Sequence, residues 1–191
     1  MGGDLQGTNK YSVYRRIRQE RTYRPLGRMS WQRVVLGLAL LASVFFISGA
    51  VSRFFAERGH FRTAERLMVS RRWVETYRPD TLAFIEAGLL YEDGDFEGAY
   101  AAFRAQGDAE PVLRMASAAA VKLADEKCRA GDFDAAFEAV TAAEPDRLSG
   151  ELRESYRAVC EALERHFAPL SDPDAREKAT RLQSLLGVQA S

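Results

Sequence analysis

The sequence predicts an all-α protein: an apolar N-terminal helix followed by a row of helix–turn–helix units. Three observations carry that prediction. Eighteen consecutive uncharged, mostly apolar residues run from Val34 to Val51. Behind them a short pattern occurs three times, at Gly59, Gly94 and Gly131: Gly, a polar residue, Phe, two variable residues, Ala. Around those glycines apolar residues recur at helical spacing, and no alternating strand pattern or hairpin dipeptide interrupts them.

The apolar run comes first in the chain and is expected to cross a membrane. As a helix it is about 27 Å long, close to the ~30 Å hydrocarbon core of a bilayer. Arg33 and Arg53 bracket it, Trp31 lies at one edge, and no polar face is visible along it. A secretory signal peptide is the competing interpretation, with Ser48 and Ala50 as the small residues of a cleavage site. Against it stand the 33 residues before the run and a run longer than the ~7–15 residues of a signal-peptide core. Residues 1–33 hold eight Lys or Arg against Asp4 and Glu20, so the leader carries +6 while the whole chain sums to zero. So basic a segment resists translocation, which puts the N-terminus in the cytoplasm and the larger part outside. Positive charges close to the run are equal on its two sides, however. The expected division is a basic, disordered cytoplasmic tail over 1–30 and a transmembrane helix over 31–55 that continues into the first repeat. A helical domain over 56–187 and a tail over 188–191 follow.

Each repeated stretch has a physical cause. Glycine ends one helix because it can take positive φ, and the polar residue after it can cap the next. Phe and the Ala three positions later then share a helix face, where Ala lets a neighbour approach closely. After the Pro79-Asp80 start signal, Leu82, Phe84, Ile85, Leu89 and Leu90 predict a helix from Thr81 to Tyr91. Phe96, Ala99, Tyr100 and Phe103 predict the next, to Ala105. Val112 to Arg129 forms an Ala-rich helix opened by Pro111, and Phe133, Ala136, Phe137 and Val140 place another up to Ala143. Leu152, Tyr156, Val159, Cys160 and Leu163 predict a helix over Glu151–Phe167; beyond Pro169 and Pro173, Asp174–Leu186 is expected to close the stack.

Over residues 45–148 this series resembles the tetratricopeptide repeat, a helix–turn–helix unit of 34 residues. The matching residues are Ala87, Gly94, Phe96, Ala99, Phe103 and Pro111 in the second unit, and Leu123, Ala124, Gly131, Phe133, Ala136 and Ala143 in the third. The first unit keeps Gly59, Phe61 and Ala64, with Ser52 where the small first-helix residue belongs. Ala83 and Ala120 replace the family's first-helix aromatic. The resemblance implies a short α-solenoid whose first helices line a concave groove for a peptide or partner helix. Carried over onto this chain, the groove comprises Phe84, Gly88, Tyr91 and Glu92, with Thr81 beside them, and Val121, Asp125 and Arg129, with Ala118 and Cys128 beside them. Phe84 would equally serve as packing against the next helix. The Lys/Asn/Arg clamp of chaperone-binding family members is not expected, since the chain has one Asn, Asn9, and no basic cluster at these positions.

No pattern for chemistry competes with this. His60 and His166 are expected on solvated surface, and no metal-ligand spacing, phosphate loop or nucleophile setting is present. Asp93 and Asp95 pair across a turn, where helix capping accounts for them. Cys128 and Cys160 lie 32 residues apart, nearly one repeat; a disulfide between adjacent units is conceivable, and two buried thiols are favoured. The expectation is a non-enzymatic, cofactor-free, single-span membrane protein of bacterial type that recruits a protein partner. The alternatives are a self-associating spacer, hence a homo-oligomer, and a secreted module released after Ala50. Nucleic-acid binding is not expected, because the basic leader is explained by the membrane beside it.

Overall fold

The computed structural model describes residues 31–188; the basic leader assigned to 1–30 and the final residues of the tail lie outside that range. All regular structure among the described residues is helical. In chain order the helices are α1 (Trp31–Glu57), α2 (Phe61–Leu67), α3 (Arg71–Tyr77), α4 (Pro79–Asp93), α5 (Phe96–Arg104), α6 (Glu110–Ala130), α7 (Phe133–Thr141), α8 (Gly150–Phe167) and α9 (Pro173–Val188). A 3₁₀ turn, Pro145–Arg147, precedes α8.

Backbone contacts divide the chain after Val44. The described part before that point is the N-terminal half of α1, where Leu36, Leu38, Leu40 and Leu41 each keep more than half of their surface exposed. Among the described residues α1 is the one helix long and apolar enough to cross a bilayer, with a mean hydropathy of 2.5 over 18 residues. Apolar surface on this scale, left uncovered by the protein's own atoms, is unfavourable in water.

From Phe45 onward, three of the turns between successive helices are made by the repeated glycines. Gly59, Gly94 and Gly131 have φ of 82°, 86° and 80°. Each sits in the same hydrogen-bonded arrangement. Its own N–H donates to the carbonyl three residues back (Ala56, Tyr91, Cys128), and the next residue's N–H donates to the carbonyl five back (Phe55, Leu90, Lys127). This double bond set satisfies carbonyls that a helix end otherwise leaves open. Asp95 then caps α5 by accepting from Gly98 N at 2.9 Å, and Asp132 caps α7 by accepting from Ala135 N at 3.2 Å. His60 makes no such side-chain bond. Glu92 of α4 replaces it from outside the unit, accepting from Phe61 N at 3.0 Å.

Small residues are buried at matching places before and after the glycine turns. Ser52, Ala87 and Ala124 on the first helices are buried, as are Ala64, Ala99 and Ala136 on the second helices. Phe61 of α2 fills the place of the side chain Gly88 lacks, since a Cβ there would lie 2.0 Å from the ring. Phe61, Phe84 and Phe103 form a triangle of rings with centroids 5.5–6.4 Å apart, within the favourable range for edge and tilted contacts. A second core surrounds Tyr156, Leu163 and Leu182 with Phe137 and Val140. Helix α6 joins the two: Ala116 and Ala119 belong to the first core, Ala120, Val121 and Ala124 to the second. It packs against α5, α7 and α8, which an Ala-rich helix can do on several sides at once.

The short helix α3 has no counterpart in the expectations from sequence. Ser70 starts it, accepting from Trp73 N at 3.3 Å, and it stops before Pro79, which opens α4. At the other end Ala175, Ala179 and Leu182 of α9 are buried, and Lys178 ties α9 to α7 through Asp134 at 2.7 Å.

Gly88→Ala is expected to destabilise the domain by about 1–3 kcal/mol through overpacking against Phe61. Gly150→Ala, where an added Cβ meets nothing within 4 Å, should leave stability unchanged or slightly higher. Pulse proteolysis of the detergent-solubilised full chain across a urea series compares the two.

Candidate functional site

The seven residues assigned to the groove differ in exposure. Phe84, Gly88 and Val121 are buried in the cores, so none of them is offered to a partner; for Phe84 the packing role is the one observed. Glu92 caps α2 and lies 3.4 Å from the Arg62 guanidinium, while Asp93, expected to cap a helix, pairs with Arg62 at 2.6 Å instead. Asp125 and Arg129 pair with each other at 2.6 Å, one turn apart on α6. They border two shallow depressions of about 400 and 240 Å³, and their mutual neutralisation leaves little charge for a ligand there. Tyr91 is half-buried, stacked edge-on against Phe96 at 5.5 Å. Burial raises its hydroxyl above the ordinary tyrosine value, and the charge of Glu151 on α8 raises it further.

The larger opening lies elsewhere in the same domain. A cleft of about 460 Å³ is bounded by the α1–α2 turn, the N-terminal half of α6 and the entry to α8. Met115, Ala118 and Leu152 form its apolar part, and Arg58, Arg114 and Arg147 its charged part, with Glu57 and His60 at the turn. The three arginines are in different electrostatic states. Arg147 is held by Glu110 and Glu144, which cancel its charge. Arg114 donates to the backbone carbonyl of Glu57, and Arg58 lies over the Phe54 ring at 3.4 Å. Neither of these two has a carboxylate within ion-pair distance among the described residues, and the Glu57 carboxylate already accepts from Arg53 at 2.7 Å. The cleft therefore has a net positive side with guanidinium donors available, beside a small apolar floor. That combination suits a carboxylate followed by an apolar residue.

Spacing along the chain gave no signal for this cluster. Arg58, Arg114 and Leu152 come from three separate helical units, and only stacking brings them together.

His166, the two cysteines and Tyr156 lie outside this cleft. His166, expected on solvated surface, stacks on Phe133 with ring centroids 3.7 Å apart. Both cysteines are free thiols, Cys160 buried and Cys128 half-buried. Burial pushes the Cys160 thiol up to about 11 and, with Asp125 nearby, raises Cys128 as well. The Tyr156 hydroxyl is buried beside Cys160 without a well-formed hydrogen bond. Burial also makes it a weaker acid than usual.

Iodoacetamide at mildly alkaline pH should therefore label Cys128 well before Cys160 in the folded chain, with both reacting after denaturation, as read by mass spectrometry of the peptides. The stability contribution of the Cys160 thiol is fully present below the unfolded thiol's value of about 8.5. Above that value the unfolded chain releases the proton first, so stability falls as pH rises to about 11. In Cys160→Ala that part of the alkaline loss should disappear from the urea midpoints.

Compared with protein-family models, with curated proteins and with solved structures, the chain matches none.

Proposed function

We propose that the chain is a membrane-anchored, tetratricopeptide-like interaction module whose basic cleft takes an acidic or carboxylate-terminated segment of a partner protein. The observation that carries the proposal is the pair Arg58 and Arg114, two guanidinium groups at one cleft with no carboxylate partner among the described residues. Recognition would rest on charge-assisted hydrogen bonds from these arginines and on an apolar side chain against Met115 and Leu152. The solenoid arrangement draws support from the three identical glycine turns and from buried small residues at equivalent places in all three units. Anchoring would raise the effective concentration of the cleft for partners at the same membrane, so modest affinity would suffice. The +6 leader favours the cytoplasm for the N-terminus and the outer side for the helical domain.

Retention of α1 after insertion is supported by its contacts beyond Val44. The Ser48 hydroxyl donates to Leu67 O at 2.7 Å and accepts from Val69 N at 3.0 Å, and Phe45 and Phe46 pack on Trp73. Cleavage after Ala50 would strip all of these from the folded domain.

A photo-crosslinking residue at Leu152 in the full chain, activated in cells, tests the cleft. An adduct of defined mass is expected, and Arg58→Glu with Arg114→Glu should weaken it roughly tenfold or more, each lost charged hydrogen bond being worth about 1.5–3 kcal/mol. An adduct indifferent to both substitutions and to salt would remove the basis for the proposal. Alkaline carbonate extraction with sequencing of the mature N-terminus tests the anchor: the chain should stay in the membrane pellet with α1 intact, whereas a mature start at Val51 would establish the secreted form.

A further inference from the structure

Outside α1, Leu67, Val69, Tyr77 and Leu170 are the large apolar side chains left exposed among the described residues. Three of the four fall within one stretch of the chain, residues 67–77, which also contains the half-buried Trp73. That stretch is fastened to a particular level of α1. The Trp73 ring lies 5.7 Å from Phe45 and 5.4 Å from Phe46, and a Cβ at Gly49 would lie 3.3 Å from it. Ser48 holds the backbone of Leu67 and Val69.

The level is informative. The apolar run of α1 ends at Val51 and the first charge after it is Arg53. Residues 45–49 are thus two to six residues inside the end of the run, about 3–9 Å along the helix axis. When α1 spans a bilayer, that is the outer edge of the hydrocarbon, where acyl chains meet headgroups. The stretch has the composition for this boundary. Trp73 and Tyr77 are the aromatic residues enriched there, and Leu67 and Val69 supply apolar surface continuous in kind with exposed Phe46, Ile47 and Phe54 of α1. Residues 66–78 hold Arg66, Arg71, Arg72 and Arg78 against Glu75, a charge balance that attracts anionic headgroups. Arg71 pairs with Glu86 of α4, while Arg66 and Arg72 have no carboxylate at ion-pair distance among the described residues.

We infer that residues 67–77, with helix α3 at their centre, form an interfacial collar that lies in the headgroup–acyl boundary of an anionic leaflet, beside the point where α1 leaves the membrane. The collar rests on the anchor proposed above. It fixes the depth of the helical domain at the membrane, where a span followed directly by α4 would leave the domain free to rise from the surface.

The chain contains two tryptophans, Trp31 and Trp73, so Trp31→Phe leaves Trp73 as the sole reporter. The full-length variant is reconstituted in vesicles of phosphatidylcholine and phosphatidylglycerol carrying lipids brominated at shallow or deep acyl positions. Shallow bromines are expected to quench Trp73 about twofold more than deep ones, with iodide nearly without effect. Adding Leu67→Ser, Val69→Ser and Tyr77→Ser should reduce the bromolipid quenching while the helical circular dichroism signal stays the same. Strong iodide quenching without bromolipid quenching, in protein that resists carbonate extraction, would overturn the collar and leave the anchor standing. Protection from both quenchers would mean that protein, a second copy included, covers the patch, and would overturn it equally. Release of the chain by carbonate would defeat the anchor, and the collar with it.

Discussion

Close approach between helices is the constraint on which the rest of this structure depends. Fully buried Ala and Ser side chains recur at matched places along the chain, where they leave room for a neighbouring helix. Where the facing position is glycine, at Gly88, a whole phenylalanine ring enters. Helix α6 shows the consequence most fully. Seven consecutive residues, Met115 to Val121, are buried on a helix that shares both cores, and small side chains are what allow α5, α7 and α8 to approach it together. A larger residue at any of these places would not simply occupy a void. It would push the packed helices apart, because a close-packed interior has little room to absorb added volume.

The second dependence is the dual character of α1. Its C-terminal half belongs to the folded domain, because Ser52 and Ala56 are buried in the first core and Ser48, Gly49 and the two phenylalanines before them hold the chain around α3. The same helix leaves Phe46, Ile47, Val51 and Phe54 exposed. One face of a continuous helix is thus packed against protein and another is apolar and exposed. The two requirements are compatible because helical periodicity separates small core-facing residues from large outward-facing ones over the same few turns.

Electrostatics in the domain follows from which partners each charge already has. Several surface acids and bases are paired locally, as in Asp125 with Arg129 or Lys178 with Asp134 and Asp174, where side-chain hydrogen bonds to both aspartates hold the lysine's proton more firmly than usual. Arg58 and Arg114 are held by neutral groups instead. One lies over an aromatic ring and the other is engaged by a neutral carbonyl, so both retain their charge where a cleft opens. Guanidinium held by neutral partners is oriented without being neutralised, which is the state a binding group requires.

The sequence by itself determined the helical class, the apolar run and most of the helix boundaries. These depend on local chemistry: glycine's access to positive φ at Gly59, Gly94 and Gly131, caps at Asp95 and Asp132, prolines at helix starts, and apolar spacing. Helix α3 escaped because seven residues give too little periodicity, and because its one strong signal, Ser70, is intelligible only once Trp73 has a surface to meet. The candidate site was the least legible part. Counting groove positions along α4 and α6 picked Phe84, Gly88 and Val121, which face neighbours that the one-dimensional pattern does not contain. Tertiary structure alone decided that Glu92 caps a helix in another unit, that His166 stacks on Phe133, and that Arg58, Arg114 and Leu152 share a cleft. Burial and charge pairing across units are set by the distance and rotation between stacked helices, and no residue's immediate sequence neighbours carry that information.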